Sequence, residues 1–330
     1  MLRAAIIGCG KIASGFADDP LMRGDVFTHA EAYVRCPDTE LAAVADVDPV
    51  RARACAERWH VPVWHASVRA LLEDVRPEIV SICTPDETHA QVAEEVLQHG
   101  CGLKALLIEK PMALTERDAA GVLKLARARG VVLAVDFMRR HARNMQAVRE
   151  LIRAGRIGTV ESIQGLYGKG VLHNAVHWFD LVRMLAGEVA WVEAWNRLRD
   201  SQTDPTLDVR LGLSGGAVAT LAGARAEAYS AFEMDMVGTL GRLRLTDSCH
   251  RVELFVAGPS ARYSGYRELQ EQAHDFGHRR DLLLHAVEDL AEALRSGRSP
   301  ACGGEDGLAA ARIAEACLRS AACGKRVELA

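Results

Sequence analysis

The chain has 330 residues, 49% of them hydrophobic and 25% charged, with a formal net charge of −4 and an isoelectric point near 6.3. That length exceeds one ordinary compact domain, so two domains with sizeable cores are expected. The mild acidity excludes the basic footprint of a nucleic-acid binder, and no apolar run approaches the length needed to span a bilayer.

The chain opens with "MLRAAIIGCG", which passes from one arginine straight into a short apolar run and glycines. A secretory signal would need a longer apolar region and a small-residue cleavage site. The nine cysteines form an odd set without a C-x-x-C pair. They read as small buried residues in a reducing cytoplasm, with neither a disulfide framework nor a zinc site.

From there short apolar runs alternate with helical patterns. "RAAIIG", "LAAVAD", "EIVSICTP", "ALLIEKP" and "VVLAVDF" are rich in Val, Ile and Leu and end at Gly, Pro or Asp, as buried strands do. Between them "PVRARACAERW", "SVRALLEDV", "ETHAQVAEEVLQHG" and "TERDAAGVLKLARARG" carry apolar residues at helical spacing. Gly100 and Gly130 stand where a helix end wants glycine. Alternating strand and helix implies crossover units and a parallel sheet.

"AIIGCGKIA" provides G-x-G-x-x-A at Gly8, Gly10 and Ala13, directly after the first strand and expected to open a helix. Gly8 allows a tight turn, Gly10 lets the backbone approach a pyrophosphate, and Ala13 permits close packing. Lys11 and Ile12 belong to the same cofactor-binding loop. The second strand ends "AVADVDP", which offers Asp46 to the adenosine ribose hydroxyls. It lies further from the glycines than the usual 20 or so residues, because "FADDPLMRGDVFTHAEAY" lengthens the first crossover. An acid there repels a 2′-phosphate and favours NAD, with Asp48 as the alternative acid and Arg51 as a residue that would tolerate NADP.

After about Phe137 the rhythm changes. "NMQAVRELIRAG" is helical and "TVESIQGLYG" strand-like, and then comes "GVLHNAVHWFD". The runs "VAWVEAWNRL", "LDVRLGLSGG", "AVATLAGARA", "AFEMDMVGTLGRLRLTD" and "RVELFVAG" alternate and are joined by Gly-rich turns. They suggest a large, open, mainly antiparallel sheet. Two helices, "DLLLHAVEDLAEALRSG" and "EDGLAAARIAEACLRSAACG", follow. The expected fold class is therefore α/β. A Rossmann dinucleotide-binding domain over 1–138 precedes an α/β substrate-binding and oligomerisation domain over 139–330.

The glycine loop, "VSICTPDETHA", "IEKPMALT", the H-x-x-D of His177 and Asp180 and the terminal helix sequence occur in an order that resembles one family. This is the glucose–fructose oxidoreductase / inositol dehydrogenase / rhizopine-catabolism family, Gfo/Idh/MocA. The resemblance spans nearly the whole chain. It implies hydride transfer between NAD(P) and a carbinol or ketone carbon of a sugar or sugar nucleotide.

Residue by residue, "ICTP" ends a strand at the ligand edge of the sheet, so Thr84, Pro85 and His89 are expected at the nicotinamide side, unless His89 only caps its helix. Glu109, Lys110 and Pro111 end the next strand. Glu109 is counted with the cofactor site, and Lys110 at the ligand edge would hydrogen-bond the substrate oxygen, unless the two form an ordinary surface ion pair.

The resemblance makes His177 the acid/base, since imidazole titrates near neutrality. Asp180 would orient its ring or serve as a structural cap. Many members carry Asp four residues before that histidine; here the position holds His173, with Asn174 beside it. His173 is thus a second candidate for the proton relay. H-x-x-x-H also invites a zinc reading, but Asn174 stands where the metalloprotease pattern needs Glu, and no third ligand is evident. Two satisfied histidines on a packed helix are the bland alternative. Arg139 and Arg140 suit a carboxylate or phosphate, or else an ion pair tethering the domains. Lys169 and Tyr167 precede the histidine segment, while Trp178 reads as core.

The resulting expectation is an NAD-dependent dehydrogenase or reductase, with a homodimer or homotetramer formed through the second sheet. The alternatives are a non-catalytic NAD-binding sensor and a reductase of an imine or tetrapyrrole.

Overall fold

The computed structural model describes residues 1–225 and 229–329. The chain divides into two compact units: Met1–His141 with Arg280–Ala311, and Ala142–Arg279 with Arg312–Ala330.

The first unit begins with β1 (Leu2–Ile7), α1 (His29–Arg35), β2 (Thr39–Ala45), α2 (Pro49–Trp59), β3 (Val63–His65) and α3 (Val68–Val75). It continues with β4 (Ile79–Ile82), α4 (His89–His99), β5 (Ala105–Ile108), α5 (Glu116–Ala128) and β6 (Val132–Val135). The strands pair in the order β3-β2-β1-β4-β5-β6, all parallel. This is the doubly wound order, which reverses between β1 and β4 and opens a ligand crevice at that point.

Local chemistry explains the helix starts. Asp48 accepts from the amides of Val50 and Arg51, Pro49 occupies the first turn of α2, and Ser67 and Thr115 cap α3 and α5. Gly130 is left-handed beyond the end of α5, as its position suggested, with φ +63. Gly100 is not: its φ is −67, and a Cβ there would lie 2.7 Å from the Val96 carbonyl oxygen, so glycine serves close approach.

The second unit contains α6 (Arg143–Arg153), β7 (Val160–Tyr167), α7 (Val176–Ala186), β8 (Val189–Trp195) and β9 (Asp208–Leu213). Then come β10 (Val218–Gly223), β11 (Phe232–Gly238), β12 (Gly241–Thr246), β13 (Arg251–Pro259) and β14 (Arg267–Gln272). Ala226, the last residue of the run read as the β10 strand, lies outside the described residues. The chain then forms α8 (Leu282–Ser296), α9 (Gly304–Cys323) and β15 (Val327–Glu328).

The second sheet runs β14-β13-β12-β11-β7-β10-β9-β8-β15, antiparallel except for the β7–β10 pair. One face buries Ile163, Tyr167, Met234, Met236, Leu243 and Leu245. The opposite face is polar and laced with ion pairs, including Arg242–Asp235, Arg244–Glu253 and Arg210–Glu193.

Helix α8 belongs with the first unit. Its Leu283, Val287 and Leu290 share a core with Val26, Ala30 and Tyr33 around α1. Among the described residues, no helix is long and apolar enough to cross a membrane.

Candidate active site

In the first unit the predicted cofactor residues gather at the carboxyl ends of β1, β2, β4 and β5. Gly8 has φ +89, and its N–H donates to the Ala45 carbonyl at 2.8 Å. A Cβ on Gly8 would stand 2.7 Å from the carbonyl group of Cys83 and the nitrogen of Thr84, so glycine is required both by dihedral and by space. Gly10 faces the opposite situation, with nothing within 4 Å of a built Cβ. That open side fits a dinucleotide phosphate drawn up to the backbone.

The expectation that this loop opens an α-helix is corrected. Ser14 and Gly15 both donate to the Gly10 carbonyl at 3.1 Å and Phe16 donates to Lys11, which makes one wide turn. Short 3-10 turns over Gly15–Asp18 and Pro20–Met22 follow, and α1 starts only at His29. Pro20 and Gly24, the latter at φ +87, break any helix across the long insertion. The first amides of α1 instead dock back on the loop, His29 N–H to Ile12 and Ala30 N–H to Ala13. Turn amides, rather than a helix terminus, are what this loop presents to an anion. Lys11 is exposed, Ile12 half-buried and Ala13 buried.

Asp46 is 8% exposed. Its carboxylate accepts from the amides of Cys9 at 2.8 Å and Asp48 at 2.9 Å, which ties the end of β2 to the glycine loop. Each carboxylate oxygen carries two lone pairs, so the group still has capacity for ribose hydroxyls. The carboxylate of Asp48 caps α2, and Arg51 approaches both acids at 3.8 and 3.9 Å.

Thr84 is half-buried and Pro85 exposed after β4. The ring of His89 is buried between the Pro111 carbonyl, 2.7 Å from Nδ1, and the Thr84 carbonyl, 2.8 Å from Nε2. It braces the ends of β4 and β5 together. Thr88 holds the N-cap position of α4 without a side-chain capping bond. Glu109 is buried against His29, and the Lys110 amide donates to it at 3.3 Å. Lys110 itself is half-buried and precedes a cis peptide to Pro111. Past β6, Arg140 pairs with Asp306 at 2.9 Å inside this unit, and Arg139 is buried in the same short turn.

The second unit carries the histidine segment. Lys169 and Gly170 are both left-handed, with φ +68 and +86, and residues Val171–Ala175 form a π-helical turn ahead of α7. A non-glycine in that region followed by a wide turn is costly backbone, of a kind that clusters at functional sites. Asp204 secures the turn by accepting from the amides of Leu172 at 2.7 Å and His173 at 3.0 Å.

His173 is exposed, whereas His177 is 7% exposed on α7 with its ring edge-on to Phe232. Asn174 donates to the Gly168 carbonyl, Lys169 is exposed, and Asp180 is buried one turn beyond His177. Trp178 is core: it lies on Gly165 of β7 and donates to the Glu233 carbonyl at 3.2 Å.

Sequence reasoning passed over His29, Ser81 and Tyr33, all fully buried beside Glu109, and over Asp204. Asp136, at the end of β6, had a visible signal: an acid closing an apolar strand. Among the described residues, His29, Glu109 and Asp136 bring ligand-type atoms within 4.8 Å of one another, and neither His173 nor His177 joins them.

Comparison with known proteins agrees with this geometry. Residues 2–137 match the family model described as an oxidoreductase family NAD-binding Rossmann fold, and residues 167–329 match that family's C-terminal alpha/beta domain. The chain is 27% identical to inositol 2-dehydrogenase of Rhizobium meliloti (strain 1021), covering 100% of this chain and 99% of the relative. It is 30% identical to inositol 2-dehydrogenase 1 of Saccharopolyspora erythraea, covering 88% of each. A solved levoglucosan dehydrogenase in complex with NADH and levoglucosan has the same fold, with a TM-score of 0.82 at 20% identity over 100% of this chain and 99% of that one. The Gly8–Gly10 loop with Asp46 on one sheet, the mainly antiparallel second sheet and these matches lead to one conclusion: the chain belongs to the Gfo/Idh/MocA family of NAD-binding oxidoreductases.

Proposed function

We propose that this protein transfers hydride between NAD and a carbinol or ketone carbon of a sugar, polyol or sugar nucleotide. The observation that carries the reading is Lys110, set two residues beyond the end of β5 in the unit whose strand ends also carry Gly8 and Asp46. Bound NAD supplies the hydride-accepting ring. In this reading the Lys110 ammonium hydrogen-bonds the substrate oxygen and stabilises its alkoxide character. His177 takes the hydroxyl proton in oxidation and returns it in reduction. Thr84 and Pro85 line the nicotinamide side, with Asp46 on the adenosine ribose. Lys169, Asn174, Asp180 and Arg139 are the candidate substrate contacts, and His173 is the second candidate for moving the proton.

The test is NADH absorbance on a panel of sugars, polyols and sugar nucleotides, with His177→Ala beside the wild type. Loss of one positioned acid/base is expected to lower kcat by about 10²–10⁴-fold. An unchanged His177→Ala removes the histidine from the mechanism, and NAD binding without turnover across the panel favours a sensor.

Asp46→Ala is expected to raise the Kd for NAD about 10-fold, the weight of a hydrogen bond to a charged acceptor. NADP, measured alongside, separates recognition from loop damage. Damage weakens both dinucleotides alike, whereas loss of the ribose contact and of the negative charge shifts preference toward NADP.

The second sheet is also proposed as the self-association surface of a homodimer or homotetramer. Its outer face offers extended backbone, crossed ion pairs and the half-exposed Trp195 and Leu269. Light scattering checks it, and a monomer at micromolar concentration refutes it. The cysteines are thiols, most of them buried with Cys101 and Cys323 exposed, which suits a reducing cytoplasm.

A further inference from the structure

Behind Lys110 lies a buried polar chain that the proposed reaction does not use. The Tyr33 and Ser81 hydroxyls are 2.7 Å apart, Ser81 Oγ is 3.1 Å from His29 Nδ1, and His29 Nε2 is 2.9 Å from Glu109 Oε1. Asp136 closes the chain. It is 0% exposed, its amide donates to the Ile108 carbonyl, and its carboxyl group lies with Glu109 and His29 inside 4.8 Å. Neither Asp136 carboxyl oxygen accepts a hydrogen bond from an N–H or O–H of the protein. An ionised carboxylate buried without donors beside a second carboxylate is strongly disfavoured.

One arrangement of protons satisfies every member of the chain. Tyr33 donates to Ser81, Ser81 to His29 Nδ1, His29 Nε2–H to Glu109, and a protonated Asp136 to Glu109.

We propose that Asp136 is held as the neutral acid, sharing its proton with Glu109, and that His29 and Asp136 are positioning residues that keep a single negative charge behind Lys110. The positioning part rests on the reading of Lys110 as the group that polarises the substrate oxygen. With one anion behind it, the Lys110 ammonium is balanced in charge and held toward the sheet less strongly than by two. A second anion would draw the ammonium back toward the sheet.

The other titratable groups facing the pair agree. Burial, with the Glu109 charge beside it, holds the Asp136 carboxyl well above the usual range. The Glu109 carboxyl is depressed against the opposing pull of burial, chiefly by its bond to His29 and also by the charge of Lys110. The neighbouring Cys83 thiol and Tyr33 phenol are both raised by burial and stay neutral. A metal ion is the competing occupant of the triad, but His29 Nε2 is already bonded to Glu109 and Nδ1 to Ser81.

The sign of the pH effect follows from linkage. An acid whose pKa is raised on folding contributes stability that is complete below its unfolded value and fades as pH rises toward the folded one. The wild type should therefore lose stability progressively as pH rises from about 4, the unfolded aspartate value, toward the raised folded one. Asp136→Asn keeps a donor to Glu109 without titrating, so it should melt about 2–4 °C above the wild type at roughly pH 9.

The deciding measurement is infrared difference spectroscopy of the full chain at about pH 7, where an ordinary aspartate is ionised. A protonated carboxyl band present in the wild type and lost in Asp136→Asn is expected. No such band, or one that survives in the variant, overturns the proposal, and so does a stoichiometric divalent metal in the purified protein. Positioning is read from kinetics on an identified substrate. Asp136→Leu should lower kcat about 10-fold with the KM for NAD unchanged, and Asp136→Asn should restore most of it. Equal loss in both variants overturns the positioning role. The spectroscopic result stands even if no substrate is turned over, so its failure is distinct from failure of the proposed function.

Discussion

Lys110→Met is expected to lower kcat by about 10²–10³-fold, the cost of removing one preorganised donor to a developing oxyanion. The substitution keeps most of the side-chain length and apolar stem and deletes only the charge and its hydrogen bonds. The Lys110 amide donates to Glu109, and methionine keeps that bond while losing the charge that acts on the Glu109 carboxylate. Folding and NAD affinity should therefore stay close to wild type, with the loss confined to turnover. Steady-state kinetics with circular dichroism and NAD calorimetry separate these quantities. If kcat is unchanged, the ammonium is not the group that meets the substrate oxygen.

Gly8→Ala is expected to destabilise the first unit by about 2–5 kcal/mol. The left-handed backbone contributes about 1–2 kcal/mol and the steric clash the remainder. The new Cβ would enter the Cys83–Thr84 peptide at 2.7 Å. That backbone cannot yield, because the Cys83 amide is bonded to the Ile7 carbonyl at 2.7 Å and Gly8 to Ala45 at 2.8 Å. Gly10→Ala is the matched control. Its Cβ meets nothing, so melting temperature should hold while NAD affinity falls. Thermal melts with and without NAD check both; equal stability losses at the two positions would refute the steric account.

Several elements were legible from residue order because their signals are local. The "DP" before α2, Ser67 before α3 and Thr115 before α5 each act through hydrogen bonds or dihedrals within a few residues. The buried parallel strands also showed themselves as unbroken apolar runs. Other elements did not. β14, "RELQEQ", is a polar, mostly exposed edge strand. β3 has only three residues, too few for periodicity to register. The expected helix after the glycine loop failed because a motif says what the backbone needs at Gly8 and Gly10 and nothing about the insertion that follows.

The site divides in the same way. Gly8, Gly10, Asp46, Glu109 and Lys110 sit at strand ends, and in a doubly wound sheet the order of strands alone brings such ends to one edge. His29 reaches Glu109 across 80 positions of sequence, and Asp204 reaches the turn around His173 across 31. Neither partnership has a local signature. Sequence by itself determined the family, the parallel sheet and the cofactor loop, since these follow from short-range backbone chemistry and apolar patterning. Only the tertiary structure decided which buried charges face one another, because burial and hydrogen bonding between distant segments are properties of the packed chain.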